Sequence, residues 1–380
     1  MVDLIVTISI ILIFIIYTLI NYKKNINKNS NIYLKTKKII ILLYILSIII
    51  FLIELITNSI IDKLSINTLL ISLTIGITLL PISITNLYKT TFNDEEEYLS
   101  INKVITTIKP TDKLIKKYKK AGIIIETITK KINKQNTNEI IYEYNNLDNL
   151  YLKIMNARVT YDNYIKALKY NFITYIPLLL IYIFVPLAGF PFLYRYPLMF
   201  IYKLVTLINT ELIYKHLPYD NDVENRKPKP YNMFIEKQEI LFTIIETLVI
   251  TFALSIVYMY ILAADGNIVL ANSILMILFI FTNIFITIVH ISEKPLYKNI
   301  IIIFKNIRLI IWLIIMLLLS YLISYAHTYN IYYIGIQNYS GCILIGFLFT
   351  LTYEIIKLAR YTTVKGVKKN VKNNKKHKRS

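Results

Sequence analysis

The chain has 380 residues, with 43 Lys plus Arg against 23 Asp plus Glu, a formal net charge of +20, 56% hydrophobic residues and only 17% charged ones. Soluble domains carry about 45–50% apolar and about 25% charged residues, so the balance argues against an ordinary soluble enzyme and for a membrane protein with basic loops. The single Cys342 excludes an intramolecular disulfide framework and a Cys-rich zinc site, the eight scattered glycines supply no phosphate loop, and none of the four His lies in a His-Glu-x-x-His pattern.

A bilayer core needs about 20 apolar residues in a helix. The first such segment is 4–21. A signal peptide there is disfavoured, because the start carries Asp3 and no Lys and no small-residue cleavage site follows. Segment 22–38 holds Lys23, Lys24, Lys28, Lys35, Lys37 and Lys38 and reads as cytosolic. Spans 39–60 and 67–88 are joined by a short far-side link with Asp62 and Lys63. The long, Lys-rich segment 89–170 is cytosolic; it opens on Asp94-Glu95-Glu96-Glu97 and predicts a short strand at Ile123–Ile128. Spans 171–188 and 197–214 flank a far-side loop whose one cation is Arg195. Loop 215–238 carries Lys215, Arg226, Lys227, Lys229 and Lys237 and is cytosolic. Spans 239–262 and 270–291 enclose a far-side loop with Asp265 and no Lys or Arg. Cytosolic loop 292–307, with Lys294, Lys298 and Lys305, leads to span 308–326. A far-side loop without Lys or Arg, ending in the sequon Asn338-Tyr339-Ser340, leads to the last span, 340–358.

Every loop alternates as the positive-inside rule requires, giving a far-side N-terminus and a cytosolic C-terminus. The apolar runs are continuous, as in helices that satisfy their own backbone in lipid, and lack the alternation of barrel strands. The expected fold class is an all-α polytopic, multi-pass membrane protein with about nine transmembrane helices and a small cytosolic insert. The domains read as 1–90 (three spans), 91–156 (reduced cytosolic segment), 157–360 (six spans) and 361–380 (basic tail). Nine cations from Arg360 to Arg379, with no acid among them, attract anionic lipid at about 1 kcal/mol per charge near the surface. A nucleic-acid partner is disfavoured, because no aromatic interleaving accompanies the charge. Lys376-His377-Lys378-Arg379-Ser380 resembles a dilysine-type endoplasmic-reticulum retrieval ending.

Ala157-Arg158-Val159-Thr160-Tyr161-Asp162-Asn163 resembles the start of the fifth transmembrane helix of cation-transporting P-type ATPases, the calcium-pump branch especially. The similarity runs without a gap through Tyr170, Gly189, Pro191 and Leu204-Val205-Thr206 to Pro218-Tyr219-Asp220-Asn221-Asp222 and Arg226-Lys227-Pro228, which is similar to the link after the family's sixth helix. Ser292-Glu293-Lys294 and Tyr353-Glu354-Ile355-Ile356-Lys357 resemble the ends of its eighth and tenth helices. Leu80-Pro81-Ile82-Ser83 is similar to its fourth, and Ala121-Gly122-Ile123 through Thr129 to an Ala-Gly-Ile…Thr-Gly-Asp segment of its phosphorylation domain. Spans 39–60 and 67–88 would follow as the third and fourth helices and 4–21 as the second, with the actuator domain reduced to 22–38.

The resemblance implies a chemistry whose parts are missing. A pump of this family uses the Asp of Asp-Lys-Thr-Gly-Thr as nucleophile and Mg²⁺ with positioned groups around the phosphates. The nearest string here is Thr111-Asp112-Lys113-Leu114, and Thr129-Lys130-Lys131 stands where the family has Thr-Gly-Asp. A dehydrated divalent cation needs oxygen ligands, which the family gathers in its fourth, fifth, sixth and eighth helices. The register places Ile82, Tyr175, Leu178, Lys203, Thr206, Leu207 and Asn283 at those positions, with no carboxylate among them. Lys203 reads either as a built-in counter-cation with Glu54 or Glu246 as partner, or as a side chain that snorkels or faces a neighbouring carbonyl. No catalytic residue, metal or cofactor is expected. The function implied is a degenerate, ATPase-like membrane protein without ATP hydrolysis or active transport, in a structural or regulatory role toward lipid or a membrane-protein partner. The alternative is a cation (calcium) transporter acting passively or with catalytic domains supplied by another chain.

Overall fold

The computed structural model describes residues 31–62, 96–106, 109–127, 146–191, 205–206, 209–210, 213–217, 223–225, 237–292, 295–325 and 332–377. Spans 4–21 and 67–88, positions Ile82, Lys203 and Leu207, and the side chain of Glu54 lie outside the described residues.

The helices are α1 (Asn31–Asp62), α2 (Glu96–Leu99), α3 (Asp112–Lys120), α4 (Leu147–Leu187), α5 (Lys237–Asp265), α6 (Ile268–His290), α7 (Leu296–Lys305), α8 (Ile307–Tyr325) and α9 (Ile336–His377). Five helical stretches among the described residues are long and apolar enough to cross a membrane: Leu147–Leu187, Glu239–Asp265, Ile268–His290, Ile307–Tyr325 and Ile336–Ala359. Each covers one of the nine expected spans. α1 contains a sixth, 39–60, and shows the two faces of a helix at a bundle's edge. Ile40, Leu43, Ser47 and Ile50 point inward, while Leu42, Ile45, Ile49 and Leu52 are exposed.

α6 sits at the centre, apolar on all sides and buried from Ala271 to Ile284. Asn267 caps its start, accepting from Val269 N at 3.0 Å and Leu270 N at 3.2 Å, which fixes two of the orphan donors of the first turn. α9 packs closely against it. A Cβ on Gly346 would lie 3.1 Å from Phe281 Cβ and 3.2 Å from Thr282 N, the small-residue approach expected between membrane helices.

α4 has 41 residues, about 60 Å at 1.5 Å per residue. That is twice the hydrocarbon thickness, so the helix is too long for one bilayer crossing, and its first half carries the small insert. There β1 (Lys103–Thr106) and β2 (Ile124–Thr127) pair in parallel, Lys103 opposite Ile124, with α3 as the crossover. α3 closes on Gly122 (φ 72°), whose N–H donates to Lys119 O while Ile123 N–H donates to Tyr118 O. This pair of bonds is a Schellman stop, and the left-handed residue favours glycine. Ile101, Val104, Tyr118 and Ile123 pack against Leu150 and Ile154 of α4 in a small core of their own.

Three features depart from the sequence reading. The all-α expectation gives way locally to the two-stranded sheet; only β2 was expected, because four residues of β1 carry too little alternation to announce a strand. Loop 292–307 contains α7, started after Pro295 and exposing Tyr297, Ile300 and Phe304 on one face. The basic tail is not a separate segment up to His377: α9 runs through it, since no proline interrupts the Lys-rich stretch.

Candidate functional site

Polar side chains inside the spans converge where α4, the helical positions 205–206 and 209–210, and α6 meet. On α4, Asn171 Nδ2 donates to Thr210 Oγ1 at 3.1 Å and Tyr170 Oη donates to Asn283 Oδ1 at 2.7 Å. Thr210 Oγ1 donates back to Thr206 O at 2.8 Å. Asn209 Nδ2 donates to Thr287 Oγ1 at 2.7 Å, and Thr287 Oγ1 donates to Asn283 O at 2.8 Å. All of these side chains are buried. The result is a seam of neutral amides and hydroxyls bonded to one another, as most buried polar groups are, with Asn209 Oδ1 the seam atom left without a protein donor among the described residues.

The expected site residues are only partly assembled here. Asn283 is central to the seam and Thr206 joins it through its carbonyl. Tyr175 is buried but faces α1, where its hydroxyl is hydrogen-bonded to Ser47. Leu178 lies two turns beyond Asn171 on the same face of α4 and closes the seam with hydrocarbon. The sequence reading missed Tyr170, Asn171, Asn209, Thr210 and Thr287. The available signal was a run of Asn and Thr on three predicted spans at helical spacing.

Glu246 was offered as a partner of Lys203. Lys203 lies outside the described residues; the Glu246 carboxylate is paired with His290, whose Nε2 lies 2.9 Å from Oε1 and 3.2 Å from Oε2. The two side chains are 1% and 3% exposed. A carboxylate so removed from water requires a proton or a counter-charge. His290 also stacks on Tyr353 of α9, ring centroids 4.1 Å apart at 20°. One turn along α9, Lys357 Nζ donates to Val289 O at 2.6 Å and Ser292 O at 3.1 Å, and lies 3.1 Å from Glu354 Oε2. An ammonium at the last carbonyls of α6 also complements that helix's dipole. The sequence held a signal for the pair: one Glu and one His, each in a predicted span near its cytosolic end.

Next to this cluster, α1, α4 and α5 enclose an apolar crevice of ≈ 440 Å³, with Phe172, Ile176, Ile244 and Leu248 among its walls. Lys169 borders it and pairs with Glu239 at 3.0 Å.

The motif residues at the head of α4 tie the insert to the bundle. Arg158 Nη2 donates to Ala121 O at 3.1 Å, and Asn163 Nδ2 donates to Leu217 O at 3.1 Å. Tyr118 Oη donates to Leu147 O at 2.8 Å. Burial pushes the Tyr118 hydroxyl above the usual phenol range, with Asp148 and Tyr151 adding to it. Among the described residues no group of three or more His, Cys, Asp or Glu is placed to hold a metal ion.

Residues 197–359 match the family model for the C-terminus of cation transporting ATPases. The match takes in α5 to α8 and the membrane part of α9, and it includes the motifs at 218–228, 292–294 and 353–357. No curated protein matches the chain.

Proposed function

We propose that the protein is a non-catalytic, multi-pass membrane relative of cation pumps, acting as a structural or regulatory partner in the bilayer without hydrolysing ATP or driving transport. The observation that carries this reading is the chemistry of the buried seam. Its oxygens on Asn283, Thr210 and Thr287 already receive protein donors, so they do not form an open, anionic cradle for a divalent cation. Leu178 offers no ligand at all. The cytosolic side supports the same reading. Between spans 67–88 and 171–188 the described insert is one βαβ unit packed on α4, and Thr129 and Ala157 stand too close in the chain for a nucleotide domain to intervene.

The test is threefold on the purified full chain in proteoliposomes. ATP hydrolysis, an acid-stable phosphoenzyme and calcium uptake are measured side by side. The expected result is background in all three. Vanadate-sensitive hydrolysis or a phosphoenzyme would overturn the proposal. Uptake or leak of calcium without hydrolysis would instead establish the passive-transporter reading.

A further inference from the structure

We propose that Glu246 and His290 form a proton-binding site inside the membrane bundle, and that the proton they hold locks α5, α6 and α9 together. The proposal is independent of whether the chain hydrolyses ATP.

The geometry assigns the bonded proton first. One proton must lie between Nε2 and the Glu246 oxygens 2.9 and 3.2 Å away, carried either by Nε2 toward an ionised carboxylate or by the carboxyl toward a bare Nε2. The remaining variable is one further proton, on Nδ1 or on the carboxylate. With it the pair is neutral as a whole; without it a net negative charge stays buried.

The neighbouring charges are committed elsewhere. On α5, Glu239 lies two turns from Glu246 toward the helix start and is paired with Lys169 of α4 at 3.0 Å. On α9, Lys357 is bonded to the end carbonyls of α6 and balanced by Glu354. Tyr353 presents a ring face to His290. From the 3₁₀ turn at Tyr214–His216, Tyr214 approaches Glu246 with a neutral phenol. Lys169 with Glu239 and Lys357 with Glu354 form two self-compensated pairs. Among the described residues, Glu246 is left with the proton of His290 as its counter-charge.

Loss of that proton removes the counter-charge where water cannot replace it. His290 ends α6, Glu246 belongs to α5 and Tyr353 to α9, so the three helices meet at this point. Deprotonation weakens their junction beside Lys357 and the crevice lined by Thr243 and Thr247 of α5. The sign follows. The lock is engaged while the pair holds the second proton and released when that proton leaves, a loss that rising pH favours.

Thermal denaturation of the full chain in detergent, scanned over about pH 5 to 9, reads the lock. The wild-type midpoint should fall by several degrees toward the alkaline end. Glu246→Gln with His290→Gln removes both charges and should give a profile without that fall. His290→Gln alone keeps a donor but leaves the carboxylate uncompensated. It should melt low at every pH, and the double variant should recover most of the loss. Infrared difference spectra between the two pH limits should show a proton-dependent band that Glu246→Gln abolishes. A wild-type profile parallel to that of the double variant, together with no Glu246-dependent band, would overturn the proposal. It would leave the pair as a fixed hydrogen bond.

Discussion

Gly346 offers a sharp test of how α6 and α9 are joined. Carbon atoms pack without strain at about 3.5–4.0 Å. A Cβ on residue 346 would stand 3.1 Å from Phe281 Cβ, 3.2 Å from Thr282 N and 3.3 Å from Phe281 C. Two of the three neighbours are backbone atoms, so no side chain can swing aside. The helices would have to separate by several tenths of an ångström. Overpacking of this kind costs about 1–3 kcal/mol, against a helix-propensity gain of about 1 kcal/mol for Gly to Ala. Gly346→Ala should therefore be neutral to destabilising by about 2 kcal/mol, the difference of those two terms. Gly341, on the same helix, is the internal control, because a Cβ there meets nothing within 4 Å. Gly341→Ala should gain about 1 kcal/mol from propensity alone. The assay is thermal unfolding of both variants and the parent in one detergent, followed by the loss of the monodisperse peak in size-exclusion chromatography. Gly341→Ala should melt above the parent and Gly346→Ala at or below it, with Gly346→Val lower still. If Gly346→Ala melts as high as Gly341→Ala, the close contact with Phe281 is not the packing that holds α6 to α9.

The remaining predictions probe the other joints. Arg158→Ala removes the bond to Ala121 O and should cost about 1.5–3 kcal/mol locally, read as faster hydrogen exchange in Ile124–Thr127; Arg158→Lys should restore little, since it lacks the planar fork. Tyr170→Phe strands Asn283 Oδ1 in the seam and should lower the melting midpoint by the equivalent of about 1–3 kcal/mol, with much of that recovered when Asn283→Leu is added. Lys357→Met leaves Glu354 unbalanced and the end of α6 uncapped; a loss of about 3–5 kcal/mol is expected for breaking such a pair, and Glu354→Gln in the same chain should soften it.

Apolarity made the spans legible and little else. Span 270–291 anticipated α6 within a few residues because the run is predominantly apolar and carries no acid, Lys or Arg, and Asn267 marks its start. In the first half of α4 apolarity gave no signal, and only the motif at 157–163 pointed to a helix there. Residues 147–170 mix Asp, Asn, Lys and Tyr, and a hydrocarbon criterion stops where lipid stops, although the helix does not. Register decides which neighbour a side chain on α4 meets. Tyr175 lies five residues beyond Tyr170, about 140° around a helix of 3.6 residues per turn, which turns it from α6 toward α1 and Ser47. Position along a span was readable from sequence; which neighbour a face meets was not. Glu246 and His290 lie 44 residues apart, and only the antiparallel packing of α5 on α6 brings them to one level.

The seam and the Glu246 pair solve one electrostatic problem in two ways. A set of converging carboxylates inside a membrane repels itself until a cation arrives, so its packing depends on an occupant. Amides and hydroxyls carry donors as well as acceptors, and Asn171 with Thr210, Asn209 with Thr287 and Tyr170 with Asn283 close on each other. Such a bundle keeps its shape with nothing bound. Glu246 has a counter-group one helix away, and that group holds its charge only while it keeps a proton. If the pair binds a proton as proposed, that proton's arrival changes the balance of charge where α5, α6 and α9 meet, while the amides and hydroxyls of the seam keep their bonds to one another.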